Sequence, residues 1–166
     1  MFDNIFNNND MIKLQNRLRD NNQTITCAES CTGGLIASML TEVSGSSSIF
    51  RGSIVTYCNE IKEQELNVEK ETMIEYGVVS CEVVEQMCIG TLKKFDADFA
   101  IAVSGVAGPG GGTEKKPVGT VVIGVVSKSG DKNIAIYNFK GDRKEVQIQA
   151  AKTALKKNFE ILFKNP

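Results

Sequence analysis

The apolar positions change period along the chain, and the changes mark the elements. Met11, Leu14 and Leu18 recur at helical spacing and predict a short amphipathic helix ending near Asn21 and Asn22, after a loose leader over residues 1–9. Thr24-Ile25-Thr26 is β-branched and predicts a strand. From Leu35 the period is helical again, with Ile36, Met39, Leu40 and Val43 on one face of a helix over 34–43, broken by Ser44-Gly45-Ser46-Ser47-Ser48. Residues 53–57 predict a strand stopped by Cys58 and Asn59, and Asn59 is placed to cap a helix with Ile61 and Leu66 inward. A helix over 69–76 stops at Gly77, and Ser80 caps the next, whose buried stripe is Val84, Met87, Cys88, Thr91 and Leu92. Phe99-Ala100-Ile101-Ala102-Val103 is apolar throughout, the mark of a strand buried on both faces. Residues 118–127 and 133–140 predict two strands joined as a hairpin through Lys128-Ser129-Gly130-Asp131-Lys132. The last helix starts at Gly141-Asp142-Arg143 and carries Ile148, Ala151, Leu155, Phe159 and Leu162 on one face.

Helices alternating with strands, plus one hairpin, predict an α/β protein: three layers, α/β/α, around a mixed, mostly parallel sheet. No repeat or linker divides the pattern, so residues 10–166 are expected to form one domain. With 42% apolar and 23% charged residues in 166, the chain can bury a substantial core. A net charge of −1 supplies no field toward nucleic acid or an anionic membrane surface, and neither is an expected partner. The longest apolar run, 118–126, is far too short to span a bilayer. The amino end is acidic and Asn-rich, unlike a targeting segment, and the five cysteines form no C-x-x-C pair, so reduced thiols and a cytoplasmic location are expected.

The chain contains no histidine. That removes every Ser-His and Cys-His nucleophile pair and the usual zinc sites; no metal and no cofactor are expected. Candidate chemistry centres on Ser30, in Cys27-Ala28-Glu29-Ser30-Cys31-Thr32-Gly33-Gly34, where a strand ends and a helix begins. Unpaired N–H groups at a helix start carry partial positive charge and suit an anion or an oxyanion. The plainer reading is that Ser30 and Thr32 cap that helix. A nucleophilic Ser30 would need a lysine, carboxylate or tyrosine as base. The second feature is the glycine loop over 105–112, which leaves a buried strand and can cradle a phosphate, although it matches neither the P-loop nor G-x-G-x-x-G. Asn59 and Lys62 share a first helical turn, where a positive helix end disfavours a cation, and Arg143 stands at another such end, where a bound anion would explain it. Lys62 read alone is an ordinary solvated lysine.

Taken together, these residues resemble a known family. Ala28-Glu29-Ser30-Cys31-Thr32-Gly33-Gly34, Gly45-Ser46-Ser47, Val55-Thr56-Tyr57 with Asn59-Glu60 and Lys62, Ser104-Gly105-Val106-Ala107-Gly108-Pro109, Lys116-Pro117-Val118-Gly119-Thr120-Val121 and Gly141-Asp142-Arg143 resemble the signatures of the CinA C-terminal domain. They stand in the family's order from about Leu14 onward. Single-domain members are nicotinamide-nucleotide amidohydrolases. The resemblance implies hydrolysis of the carboxamide of nicotinamide mononucleotide, a pyridine nucleotide, by a Ser30/Lys62 dyad, with Tyr57 as a further catalytic residue. It implies substrate-binding roles for Cys31, Thr32 and Gly33 at the turn, where N–H groups of the helix start would hold the oxyanion. It implies the same for Ser47, Asn59 and Ser104, for Gly105, Gly108 and Gly110 of the glycine loop, and for Arg143. Gln147 stands where many relatives carry a second arginine. A homo-oligomer, a dimer, is the expected assembly. The rival readings are a domain that binds a nucleotide phosphate, or a protein partner, without turnover, and an enzyme with Cys31 as nucleophile.

Overall fold

The structure is a computed structural model and describes residues 1–164; residues 165 and 166 of the expected domain lie outside the described residues. Helix α1 (Asn8–Asp20) starts with a reciprocal cap: the Asn7 side chain accepts from the Asn9 and Asp10 amides, and the Asp10 carboxylate accepts from the Asn7 amide. Strand β1 (Ile25–Glu29) leads into α2 (Leu35–Leu40), and a 3-10 turn (Ser46–Ser48) leads into β2 (Phe50–Val55). Three helices follow, α3 (Asn59–Leu66), α4 (Lys70–Tyr76) and α5 (Cys81–Phe95). Then come β3 (Phe99–Gly105), the antiparallel pair β4 (Thr120–Ser127) and β5 (Lys132–Asn138), and the long α6 (Arg143–Lys164).

The five strands form one sheet in the order β2-β1-β3-β4-β5. β1 pairs parallel with both β2 and β3, whereas β3–β4 and β4–β5 are antiparallel. The sheet is therefore mixed as expected, but parallel pairing makes up half of it rather than most, because β3 returns through a loop instead of a helix. Successive side chains of a strand point to opposite faces. Phe99, Ile101 and Val103 of β3 and Val121, Ile123 and Val125 of β4 face Leu14 and Leu18 of α1, Ile36 and Leu40 of α2 and Ala151 and Leu155 of α6. Ala100 and Ala102 with Val122 and Val126 face Val84, Met87 and Cys88 of α5, with Leu66 of α3 and Met73 of α4 packed alongside. The second face is lined by small residues, so α5 comes close. A Cβ on Gly124 would stand 2.7 Å from the Val84 side chain, a distance that real contacts do not reach.

Of the boundaries that move, three change the picture. Residues 1–9 are not a loose leader: Phe6 is buried and packs edge-on against Phe159, and Asp3 pairs with Lys152 on α6. β2 runs over 50–55 instead of 53–57, so Tyr57 lies beyond it. Asn59 is the first residue of α3, and Cys58 holds the cap position without a side-chain cap bond. No helix among the described residues is long and apolar enough to cross a membrane.

The path of the chain sets the place for chemistry. From β1 it goes through α2, on one face, to β2 at one edge. From β2 it goes through α3–α5, on the other face, to β3 on the far side of β1. The connections leave the carboxyl ends of β1 and β3 in opposite directions, and such a divergence opens a crevice there.

Candidate active site: a serine–lysine pair at the strand switch point

Ser30 follows directly on β1, and Ser104 stands near the end of β3. The two strands stay in register to Glu29↔Val103, and Ser30 and Ser104 each stand one residue beyond that last pair. A cavity of about 280 Å³ opens there, lined by Ser30, Cys31, Tyr57, Lys62, Val78, Val79, Ser104, residues 105–108, Gly110, Gly111 and Arg143. A cavity of about 350 Å³ between the N-terminal segment, α2 and α6 contains neither Ser30 nor Lys62.

Lys62 is only 1% exposed, although lysine is among the residues least often buried. Its Nζ lies 3.1 Å from Ser30 Oγ and donates to the Thr56 carbonyl at 2.7 Å and the Tyr57 carbonyl at 3.2 Å. β2 arranges these acceptors. The Thr56 amide donates to Glu29 O at 2.8 Å and carries the β1–β2 pairing one residue past the strand, after which the chain turns into α3 and its next carbonyls face Lys62. Burial is the main cause that lowers the Lys62 pKa below its ordinary value, because desolvation penalises the ammonium. A neutral amine has two N–H bonds and one lone pair. In that neutral form the two carbonyls would take the two N–H bonds and leave the lone pair for the Ser30 hydroxyl proton, whereas the ammonium form donates to Ser30 Oγ as well.

The helix start after Ser30 is already occupied. Glu29 is fully buried, and its carboxylate accepts from Thr32 Oγ1 at 2.7 Å, the Ile36 amide at 2.9 Å and the Ala37 amide at 3.1 Å. Gly34 holds the N-cap position of α2 at φ +103°, has no side chain to cap with, and leaves those amides to Glu29. The Ile36 and Ala37 amides at the positive end of α2 are therefore spent on a carboxylate of the protein, and an oxyanion would have to be held by amides of the turn that precedes the helix. The same bonds commit Glu29, so it is not a free base. Sequence reasoning missed this role, and the available signal was a carboxylate at the end of an otherwise apolar strand.

Arg143, the first residue of α6, bridges the mouth of the cleft. Nη1 donates to the Gly108 carbonyl at 2.6 Å and Nη2 to the Tyr57 hydroxyl at 3.0 Å. Gln147, one turn on, donates to the Cys31 carbonyl at 2.9 Å and ties α6 to the turn that carries Ser30. Cys31 lines the cleft, but burial pushes its thiol up to about 12, which disfavours the thiolate that a cysteine nucleophile needs at neutral pH.

The structure thus brings together Ser30, Cys31, Tyr57, Lys62, Ser104, Gly105, Gly108, Gly110 and Arg143. Four expected positions fall outside the lining of the cleft. The Thr32 side chain turns inward to Glu29, and Gly33 is exposed on the far side of the turn. Asn59, as the first helical residue, is exposed beside Glu60 and Glu63. Ser47 is exposed on the 3-10 turn before β2, at the opposite end of the parallel strands from Ser30. Val78 and Val79, which sequence reasoning did not single out, form one wall.

Fold and site define a class: three-layer α/β/α proteins with a serine–lysine pair at the switch point of a mixed sheet. Residues 9–162 match the model of the CinA C-terminal domain, and the chain belongs to that family. It is 47% identical over 141 residues to a protein of Enterobacter agglomerans named nicotinamide-nucleotide amidohydrolase PncC, across 85% of this chain and 86% of that one. It is 53% identical over 127 residues to a CinA-like protein of Fervidobacterium nodosum, across 76% of this chain and 31% of that one. The chain spans about a third of the length of such CinA-like relatives. Competence damage-inducible protein A from Klebsiella pneumoniae superposes with a TM-score of 0.90 at 33% identity, over 95% of this chain and 98% of that one.

Proposed function

We propose that this chain hydrolyses the carboxamide of nicotinamide mononucleotide to nicotinate mononucleotide and ammonia, in the cytoplasm, with Ser30 as nucleophile and Lys62 as base. The observation that carries the reading is the buried Lys62 amine 3.1 Å from Ser30 Oγ, with two carbonyls on its other N–H bonds. Neutral Lys62 takes the Ser30 proton as Oγ attacks the amide carbon. The electron-withdrawing pyridinium of the substrate eases that attack. The Gly33 and Leu35 amides are bonded to Ser30 and Thr32 carbonyls, and those of Ile36 and Ala37 to Glu29. That leaves the Cys31, Thr32 and Gly34 amides, and the two that follow Ser30 directly, Cys31 and Thr32, are the donors we assign to the oxyanion. Lys62, now an ammonium, protonates the leaving nitrogen, and a water activated by the same lysine clears the acyl-enzyme. Arg143 and the glycine loop receive the phosphate.

Release of ammonia from nicotinamide mononucleotide tests the reading. The wild-type chain should release it, and Ser30→Ala should release at least ~10³-fold less while still binding the nucleotide. Binding without turnover by the wild type would make this a nucleotide-phosphate-binding domain instead.

A further inference from the structure

Ser104 is 1% exposed, and its Oγ donates to the Val78 carbonyl at 3.0 Å. A carbonyl has no proton to give, so the direction of this bond is fixed, and the single hydroxyl proton of Ser104 is committed to the cavity wall. Only lone pairs of Ser104 are left for the cleft. Ser104 also lines the same cavity as Ser30, each standing one residue past the last registered pair of two parallel strands, Glu29↔Val103, where chains run about 4.8 Å apart. An acyl carbon on Ser30 Oγ therefore lies within reach of an oxygen that accepts hydrogen bonds and donates none.

We infer that Ser104 is the specificity-determining residue that reads the nitrogen of the substrate carboxamide, an inference that rests on the amidohydrolase reading above. The two ends of a primary carboxamide are nearly equal in size but opposite in hydrogen bonding: the NH2 end donates and the oxygen accepts. Ser104 accepts from its place near the end of β3, and the Cys31 and Thr32 amides, on the turn after β1, are the donors assigned to the oxygen. Only one docking orientation satisfies both, and it places the leaving nitrogen away from the oxyanion donors. The same arrangement works against the product. A carboxylate offers two acceptor oxygens, and one of them must face the lone pairs of Ser104 with no proton between. To donate to it, Ser104 would have to abandon the Val78 carbonyl and leave that group unpaired. The site thus favours primary carboxamides over the corresponding acids and expels its own product.

Binding measured without turnover tests this. In the Ser30→Ala background, titration calorimetry gives Kd for nicotinamide mononucleotide and for nicotinate mononucleotide. The amide should bind at least about tenfold more tightly than the acid, the scale of one buried hydrogen bond made against one opposed. Adding Ser104→Ala should bring the two Kd values to within about threefold, by weakening the amide and strengthening the acid. Adding Ser104→Thr, which keeps the hydroxyl, should preserve the ratio. General damage to the cleft would weaken both ligands together, so the ratio isolates the role. If the alanine variant does not fold, Ser104→Cys, close in size but a poor acceptor, should lose the ratio in the same way. An unchanged ratio in the alanine or cysteine variant, or a lost ratio in the threonine variant, overturns the inference alone. Binding of neither nucleotide overturns it together with the amidohydrolase reading.

Discussion

Lys62 shows how one residue can be recognised by spacing and still be understood only through its surroundings. Its place three residues after Asn59 was legible, but its protonation state depends on burial that no local pattern reports. Because burial holds its pKa below the ordinary 10.5, kcat/KM should rise with pH along one ionisation below that value. Lys62→Arg should be nearly inactive although it keeps the charge, since guanidinium stays protonated. A variant with much of the activity and a flat pH profile would remove Lys62 as base. Stability responds with a definite sign. Between the lowered folded value and the unfolded one, the unfolded chain holds the proton and the folded chain does not. The cost is therefore full below the folded value and is relieved as pH rises through this window. The stability of the wild type relative to Lys62→Met should increase from pH 7 to pH 10, as read from urea midpoints of the two proteins.

At the scale of elements, legibility failed by single residues with large angular consequences. Asn59 was expected at the cap of α3, but the helix begins with it. One residue is 100° of rotation, which turns Asn59 out to solvent. β2 runs over 50–55 rather than 53–57, which leaves Tyr57 beyond its end. The reason is physical in both cases: strand pairing with β1, a long-range contact, sets these boundaries, and local propensity does not contain it. Glu29 acts at the same scale. It is the fastener of a six-residue helix that no side chain of its own cap secures. Glu29→Gln removes one acceptor and sets an NH2 group against donors, so it should lower stability by about 1–3 kcal/mol. By loosening the turn that carries the Cys31 and Thr32 amides, it should reduce kcat at least ~10-fold with little change in KM. Thermal melts and steady-state kinetics on one preparation check both, and an equal fall in kcat and rise in KM would contradict the role. Arg143 joins α6 to the glycine loop and Tyr57. Arg143→Ala should raise KM far more for nicotinamide mononucleotide than for nicotinamide riboside, which has no phosphate; equal losses would remove Arg143 from phosphate binding.

Across the whole molecule, the alternation of strands and helices foretold the three layers, and the unbroken apolar run of β3 foretold a strand covered on both faces. Sheet order was not legible, because periodicity says which faces are buried and not which strands are neighbours. The packed amino end escaped notice for a similar reason: Phe6 acquires its meaning only from Phe159, across the chain. Phe6→Ala should cost about 3 kcal/mol, read by urea unfolding, with turnover at low temperature unchanged. The β3–β4 connection has a consequence of another kind. Its root is clamped, the Val106 amide on Thr120 O and the Gly119 amide on Val106 O, each at 2.8 Å, while at its tip a Cβ added to Gly110 would point into open space. The dyad hangs from β1 and β2, and this loop hangs from β3 and β4. Reactivity and recognition therefore mutate on separate scaffolds. On the proposed function, a lineage can lengthen, shorten or recharge residues 110–116 and so vary the nucleotide it receives while its lysine keeps the same surroundings throughout.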